Sequence, residues 1–112
     1  GNQTRTYCYI TDAIEGFLRV LYFGKPGEAY NIGNNIPEVS VKNIYYILQK
    51  INDEKIKANF IKHPKSYPND EPQRRCPDLK KAKQHLSYHP KVKLENGLKK
   101  FLEWAKVNYK KY

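Results

Sequence analysis

The sequence predicts an α/β fold, a small one of about three short strands and four helices. Three observations carry that expectation. Short β-branched and aromatic runs alternate along the chain with segments of helical apolar spacing. Glycine and proline clusters punctuate the alternation. The chain has 112 residues, 39% hydrophobic and 13% aromatic, which is the composition of a folding chain with one domain or part of one. Strands interleaved with helices also favour some parallel pairing.

Residues 6–10 (TYCYI) read as the first strand. Asp12 then starts a helix, its carboxylate placed to accept from first-turn N–H groups, with Glu15 three residues on as in a capping box. Ile14, Phe17, Leu18 and Leu21 share one helical face, which calls for burial. Gly24-Lys25-Pro26-Gly27 stops the helix and turns the chain back. A second strand is expected at 28–32 (EAYNI), closed by Gly33-Asn34-Asn35. Ser40 is a good N-cap for a helix whose apolar stripe is Val41, Ile44, Ile47, Leu48 and Ile51. Residues 57–62 (KANFIK) alternate weakly and give the third strand.

Residues 63–77 contain Pro64, Pro68 and Pro72 before Pro77, a loop long enough for a binding role. Asp78 is the expected cap of a short helix with Leu79, Ala82 and Leu86 inward, broken by His89-Pro90. The last helix runs from Leu94 to about Tyr109. It turns Leu98, Phe101, Leu102 and Ala105 inward, and Lys99, Lys100, Lys106 and Lys110 mostly outward. No internal repeat is visible.

Size and charge narrow the function. A dinucleotide-binding sheet with its own substrate lobe needs roughly two domains of ~100–200 residues each, so a self-contained enzyme of that kind is excluded. No apolar run approaches the ~18 residues of a membrane span, and the first residues lack the layout of a signal peptide. A soluble, cytoplasmic protein is expected. The net charge of +10 is uneven: residues 1–73 carry nine basic and eight acidic side chains, residues 74–112 twelve and three. A basic C-terminal third fits nucleic acid, an anionic metabolite or a solvated lysine-rich helix face.

Few residues have catalytic spacing. Tyr46 and Lys50 match Tyr-x-x-x-Lys, in which one helix turn presents a phenol beside an ammonium. At ~100° per residue they fall opposite the apolar stripe and are expected to face solvent. His63, His85 and His89 lack partners at metal-ligand spacing. Cys8 and Cys76 are expected as free thiols, and Cys8 shows no base partner for a nucleophilic role. Gly24 and Gly27 end a helix, whereas a phosphate cradle needs a helix N-terminus. Arg5, at the entry to the first strand, and Arg74-Arg75, in the long loop, stand at junctions that suit bidentate contact with phosphate, although spacing alone favours surface or salt-bridged arginines.

Four stretches occur in the order of a known family: residues 1–12 (GNQTRTYCYITD), 27–33 (GEAYNIG), 72–83 (PQRRCPDLKKAK) and 88–98 (YHPKVKLENGL). On these the chain resembles the C-terminal part of the extended short-chain dehydrogenase/reductases, the NAD-dependent nucleotide-sugar epimerases, dehydratases and decarboxylases. The third stretch looks most like UDP-glucuronate decarboxylases and UDP-sugar epimerases, and the second is equally similar to dTDP-glucose 4,6-dehydratases, so the subfamily stays open.

The resemblance implies that Arg5 matches the arginine after Gln-Thr, which contacts the sugar nucleotide's diphosphate or ribose. It implies that Arg75 matches the arginine two residues before Pro-Asp, which reaches the diphosphate and, in decarboxylases, the sugar end of the pocket. Family chemistry is oxidation at sugar C4 by NAD, followed by epimerisation, elimination or decarboxylation of the 4-keto sugar.

The family's glycine-rich NAD fingerprint and its catalytic Ser/Thr and Tyr-x-x-x-Lys belong to an N-terminal half. Tyr46 and Lys50, downstream of residues 31–33, do not inherit that role. The expected reading is a substrate-lobe portion spanning 1–112, binding a UDP- or dTDP-sugar through Arg5 and Arg75. It has no catalytic residue, metal or cofactor of its own, with NAD in the parent enzyme. Its partner is the N-terminal half of the same enzyme, and its apolar stripes favour self-association. The competing readings are a basic nucleic-acid module, hinted at by Tyr109 and Tyr112 beside Lys110 and Lys111, and a purely structural interaction fragment.

Overall fold

The computed structural model describes residues 1–52, 57–62, 64, 66, 68 and 70–109. Among these residues the order is β1 (Thr4–Thr6), α1 (Ile10–Phe23), β2 (Glu38–Ser40), α2 (Val41–Ile51), β3 (Arg74–Arg75), α3 (Lys80–Leu86) and α4 (Leu94–Asn108). The predicted class of three short strands and four helices holds, but the strands are not the predicted ones. The sheet has the order β2-β1-β3, antiparallel on one side and parallel on the other.

The first strand covers residues 4–6 in place of the predicted 6–10, because Thr4 and Arg5 find partners on both sides and Thr6 on one. Arg5 lies opposite Val39 in β2 and opposite Arg75 in β3. The Tyr9 carbonyl accepts from the N–H groups of Asp12 and Ala13, which commits the chain to helix from Ile10. The strand predicted at 28–32 forms no ladder. Its period-two pattern is nonetheless real as burial: Tyr30 and Ile32 lie against the core while Ala29 and Asn31 are exposed. Alternation specifies a buried side, and a strand also needs an edge to pair with. The strand predicted at 57–62 is likewise absent and its residues are exposed. Arg74–Arg75 takes the third position in the sheet, inside the predicted loop.

The core is small. Leu79, Ala82 and Leu86 from α3 join Tyr88, with Val20, Tyr30 and Ile32 against them. α1 meets this core with the face opposite to the one its periodicity predicts. Its buried residues are Asp12 and Gly16, while Ile14, Phe17, Leu18 and Leu21 are 49%, 63%, 48% and 74% exposed. The reason is contact geometry. Gly16 lets Ile32 and the Tyr88 ring approach the helix axis closely. The polar residues of the same face find partners: Arg19 donates to the Leu86 carbonyl (2.9 Å) and to Glu15, and Lys91 reaches Glu15.

Asp12 does not cap its own helix. Its buried Oδ2 accepts from the backbone N–H groups of Lys91 (3.0 Å) and Val92 (2.8 Å), tying α1 to the segment that enters α4.

The other helix ends follow the sequence more closely. Ser40 Oγ accepts from Asn43 N–H (3.1 Å) and caps α2 as predicted. The α2 stripe is half-buried, except for Val41, which is exposed. Gly24 terminates α1 by donating to the Val20 carbonyl. Asp78 holds the first turn of α3 from one residue before the cap, accepting from Lys80 N–H (2.8 Å). α3 stops at Ser87, which is left-handed at φ 50°, before His89-Pro90 is reached. In α4, Leu94 and Gly97 are buried and Leu98, Leu102 and Ala105 half-buried. Phe101, predicted inward, is exposed beside Trp104 instead. Lys99, Lys100 and Lys106 face outward as predicted. Lys110 and Tyr112 lie outside the described residues, and the Tyr109 ring rests edge-on to Trp104. None of the described helices is long and apolar enough to cross a membrane.

Candidate functional site

A three-strand register of this kind sorts side chains by parity. Thr4, Thr6, Glu38 and Arg74 share one face of the sheet, and Arg5, Val39 and Arg75 the other. The two adjacent arginines are therefore divided. Arg74 forms a bidentate pair with Glu38 (2.7 and 3.0 Å), which also accepts from the Thr4 hydroxyl. The Thr4 and Arg74 hydrogen bonds hold the Glu38 carboxyl below its ordinary range. Arg74 is thus a strap across the sheet.

Arg75 opens instead onto a cleft of about 480 Å³ lined by Arg5, Thr6, Cys8, 32–34 and 75–77. The two sequence-predicted site residues, 70 positions apart in the chain, face each other in the parallel pair β1–β3. They also share an anion. Glu71 Oε1 accepts from Arg5 Nη2 (2.7 Å) and Oε2 from Arg75 Nη2 (3.1 Å). The side chain of Arg5 is 17% exposed and that of Arg75 58%.

Sequence reading missed Glu71. Its signal is an acid four residues before an arginine, an i,i+4 pair that is normally sought on helices and here joins the loop to β3.

The far wall of the cleft is rigidly held. Tyr88, fully buried, donates its hydroxyl to the Gly33 carbonyl (2.9 Å). Asn34, also buried, accepts from Ile36 N–H through its own side chain. The Cys76 thiol lies 3.6 Å from the Asn35 carbonyl. The Cys8 thiol sits 3.7 Å from the Tyr88 hydroxyl. Burial, above all, raises Cys8 from its ordinary value and pushes the Tyr88 phenol up strongly. Both stay protonated at neutral pH, which suits them to structural hydrogen bonding and not to nucleophilic or base chemistry.

A second hollow of about 330 Å³ between residues 7–10 and 92–101 is almost wholly apolar.

Other sequence candidates disperse. Tyr46 and Lys50 are exposed. His85 Nδ1 is 3.2 Å from the Tyr30 hydroxyl, His89 is exposed, and His63 lies outside the described residues. No group of three or more His, Cys, Asp and Glu among the described residues is placed to hold a metal. The residues preceding the four helices are Tyr9, Ser40, Leu79 and Lys93, and none supplies a glycine-rich cradle for a dinucleotide pyrophosphate.

Known proteins share the sequence and the fold of this chain. The family model for GDP-mannose 4,6 dehydratase matches residues 1–101. The human dTDP-D-glucose 4,6-dehydratase is 41% identical over 97% of this chain, which spans 31% of that protein. UDP-glucuronic acid decarboxylase 6 of Arabidopsis thaliana is 39% identical over 88% of this chain and 27% of the relative. The structure of UDP-glucuronic acid 4-epimerase from Bacillus cereus in complex with UDP-glucuronic acid and NAD superposes with a TM-score of 0.84 at 36% identity, covering 97% of this chain and 34% of that one. The chain thus spans about a third of the length of these relatives. With residues 1–101 matched and the fold shared, the chain belongs to the GDP-mannose 4,6-dehydratase family of extended short-chain dehydrogenase/reductases.

Proposed function

We propose that this chain is the nucleotide-sugar-binding portion of an NAD-dependent nucleotide-sugar epimerase, dehydratase or decarboxylase acting through a 4-keto sugar. Arg5 and Arg75 take the diphosphate of a UDP- or dTDP-sugar. The observation that carries the reading is the facing pair itself: two guanidinium groups on adjacent strands at one cleft wall. Planar forks in that arrangement match the two phosphates of a diphosphate through charge-assisted hydrogen bonds. This reading assigns NAD and the redox step to the remainder of the enzyme, as the family resemblance implies. The exposed apolar face of α1 then seats the remainder of the same enzyme.

Calorimetry on the 112-residue chain tests the ligand. UDP is expected to bind weakly, with Kd on the order of 0.1–1 mM, since only part of the natural contact set is present. Arg75→Ala is expected to weaken it about tenfold, the low end for a charge-assisted contact on a largely exposed arginine. Micromolar NAD affinity, or UDP binding unchanged by Arg75→Ala, overturns the reading. Steeply salt-dependent DNA binding without UDP binding favours the nucleic-acid module.

Sedimentation tests the surface. Alone, the chain is expected to self-associate as concentration rises, and Leu21→Lys is expected to suppress this, because Leu21 is 74% exposed on the α1 face. A monomer at all concentrations with no dye-binding surface counts against the docking role.

A further inference from the structure

Two arginines placed opposite each other on paired strands repel, and like charges in that position destabilise a sheet. Here the conflict is resolved from within the chain. The Glu71 carboxylate gives one oxygen to each guanidinium, at 2.7 Å to Arg5 and 3.1 Å to Arg75. A phosphate bridging two arginines makes the same arrangement.

The two contacts are unequal. Arg5 is pinned: Nη1 also donates to the Thr4 carbonyl (2.8 Å) and reaches the Gln73 carbonyl (3.5 Å). Arg75 holds Glu71 by the longer bond and its side chain is 58% exposed. An incoming anion therefore meets Arg75 first, and releasing that contact leaves the Arg5–Glu71 pair standing.

We propose that Glu71 is a resident counter-anion of the cleft, which a nucleotide diphosphate must displace from Arg75 in order to bind. Glu71 is then a determinant of specificity, setting a threshold of ligand charge at Arg75 while stabilising the empty cleft. The inference rests on the diphosphate reading of Arg5 and Arg75.

UDP titrations of the wild-type chain, Glu71→Gln, Arg75→Ala and the double variant test it. Glu71→Gln keeps the shape and the hydrogen bond to Arg5 but removes the competing charge, so UDP is expected to bind about fivefold tighter, of order 1 kcal/mol. In the Arg75→Ala background that gain is expected to vanish. Unchanged or weaker UDP binding by Glu71→Gln, with Arg75→Ala still damaging, overturns the proposal and leaves the diphosphate reading intact. If Arg75→Ala has no effect, the diphosphate reading itself fails.

A measurement on the wild type guards against a misfolded variant. With ¹³C-labelled protein, the Glu71 carboxylate resonance is expected to move on saturation with UDP, together with the Arg75 Nε–H resonance. A Glu71 resonance that stays in place while UDP binds overturns the displacement.

Discussion

Asp12→Ala is expected to destabilise the chain by about 2–4 kcal/mol, a large share of the ~5–15 kcal/mol typical of a domain. The carboxylate is 4% exposed, and one oxygen accepts from two backbone N–H groups, those of Lys91 and Val92. Truncation removes the shared acceptor of both donors, which stand on the exposed Lys91 and the half-buried Val92, and each such loss costs up to ~1–3 kcal/mol before any relaxation or water entry. Asp12→Asn separates geometry from charge. Its carbonyl oxygen can occupy the same position and accept both bonds, so a smaller loss of about 1–2 kcal/mol is expected. Urea unfolding followed by circular dichroism measures both variants. If Asp12→Ala costs under ~0.5 kcal/mol, the range of ordinary surface changes, the bond pair does not join α1 to the α4 approach.

Asp12 also shows where sequence reading stops. An aspartate before an apolar helical run is a fair N-cap signal, and the helix is indeed there. What the sequence does not contain is the competition: two N–H groups nearly 80 residues away are brought to the carboxylate by the α3 turn at Ser87. The apolar face of α1 misleads for a related reason. Periodicity identifies a face that prefers burial without naming the surface that covers it. In this chain the small and polar side, Asp12 and Gly16, is the one that meets α3 and Tyr88. Residues 28–32 carry a true burial pattern and lack a ladder, whereas β3 is a pair of arginines with no strand signature at all. Short strands are decided by the edges available to them, a tertiary fact.

The candidate site was legible to a different degree. Arginines at junctions gave only two alternatives from the residues alone, an anion contact or an ion pair. The structure shows the ion pair, Arg75 with Glu71, on an arginine that also lines the cleft. Family resemblance selected Arg75 over Arg74; in the structure the parity of the β1–β3 register turns Arg74 to Glu38 and Arg75 to the cleft, since adjacent strand residues point to opposite faces. Glu71 was not legible because its significance lies in bridging two residues 70 positions apart.

Gly16→Val is expected to cost about 3 kcal/mol, and Gly16→Ala about 1–2 kcal/mol, against the direction that helix propensity alone would give. An alanine in a helix interior gains up to ~1 kcal/mol over glycine. At this position, however, a Cβ would stand 2.3 Å from Ile32 Cγ2, 3.0 Å from Tyr88 Cε2 and 3.2 Å from Ile32 Cδ1. Tyr88 has no room to give way, and Ile32 moves only by shifting the cleft wall. Tyr88 is fully buried with its hydroxyl on the Gly33 carbonyl, and Ile32 is the residue immediately before that glycine. Overpacking of this kind costs ~1–3 kcal/mol, more than the propensity gain, and valine adds two methyl groups in the same space.

Thermal unfolding of Gly16→Ala and Gly16→Val beside Leu18→Ala measures the contrast, because Leu18 lies on the exposed face of the same helix. A large loss at Leu18 with none at Gly16 would mean that α1 packs by its apolar stripe after all. The displaced Ile32 and Gly33 belong to the cleft wall facing Arg5 and Arg75. Gly16→Val is therefore also expected to weaken UDP binding without altering either arginine.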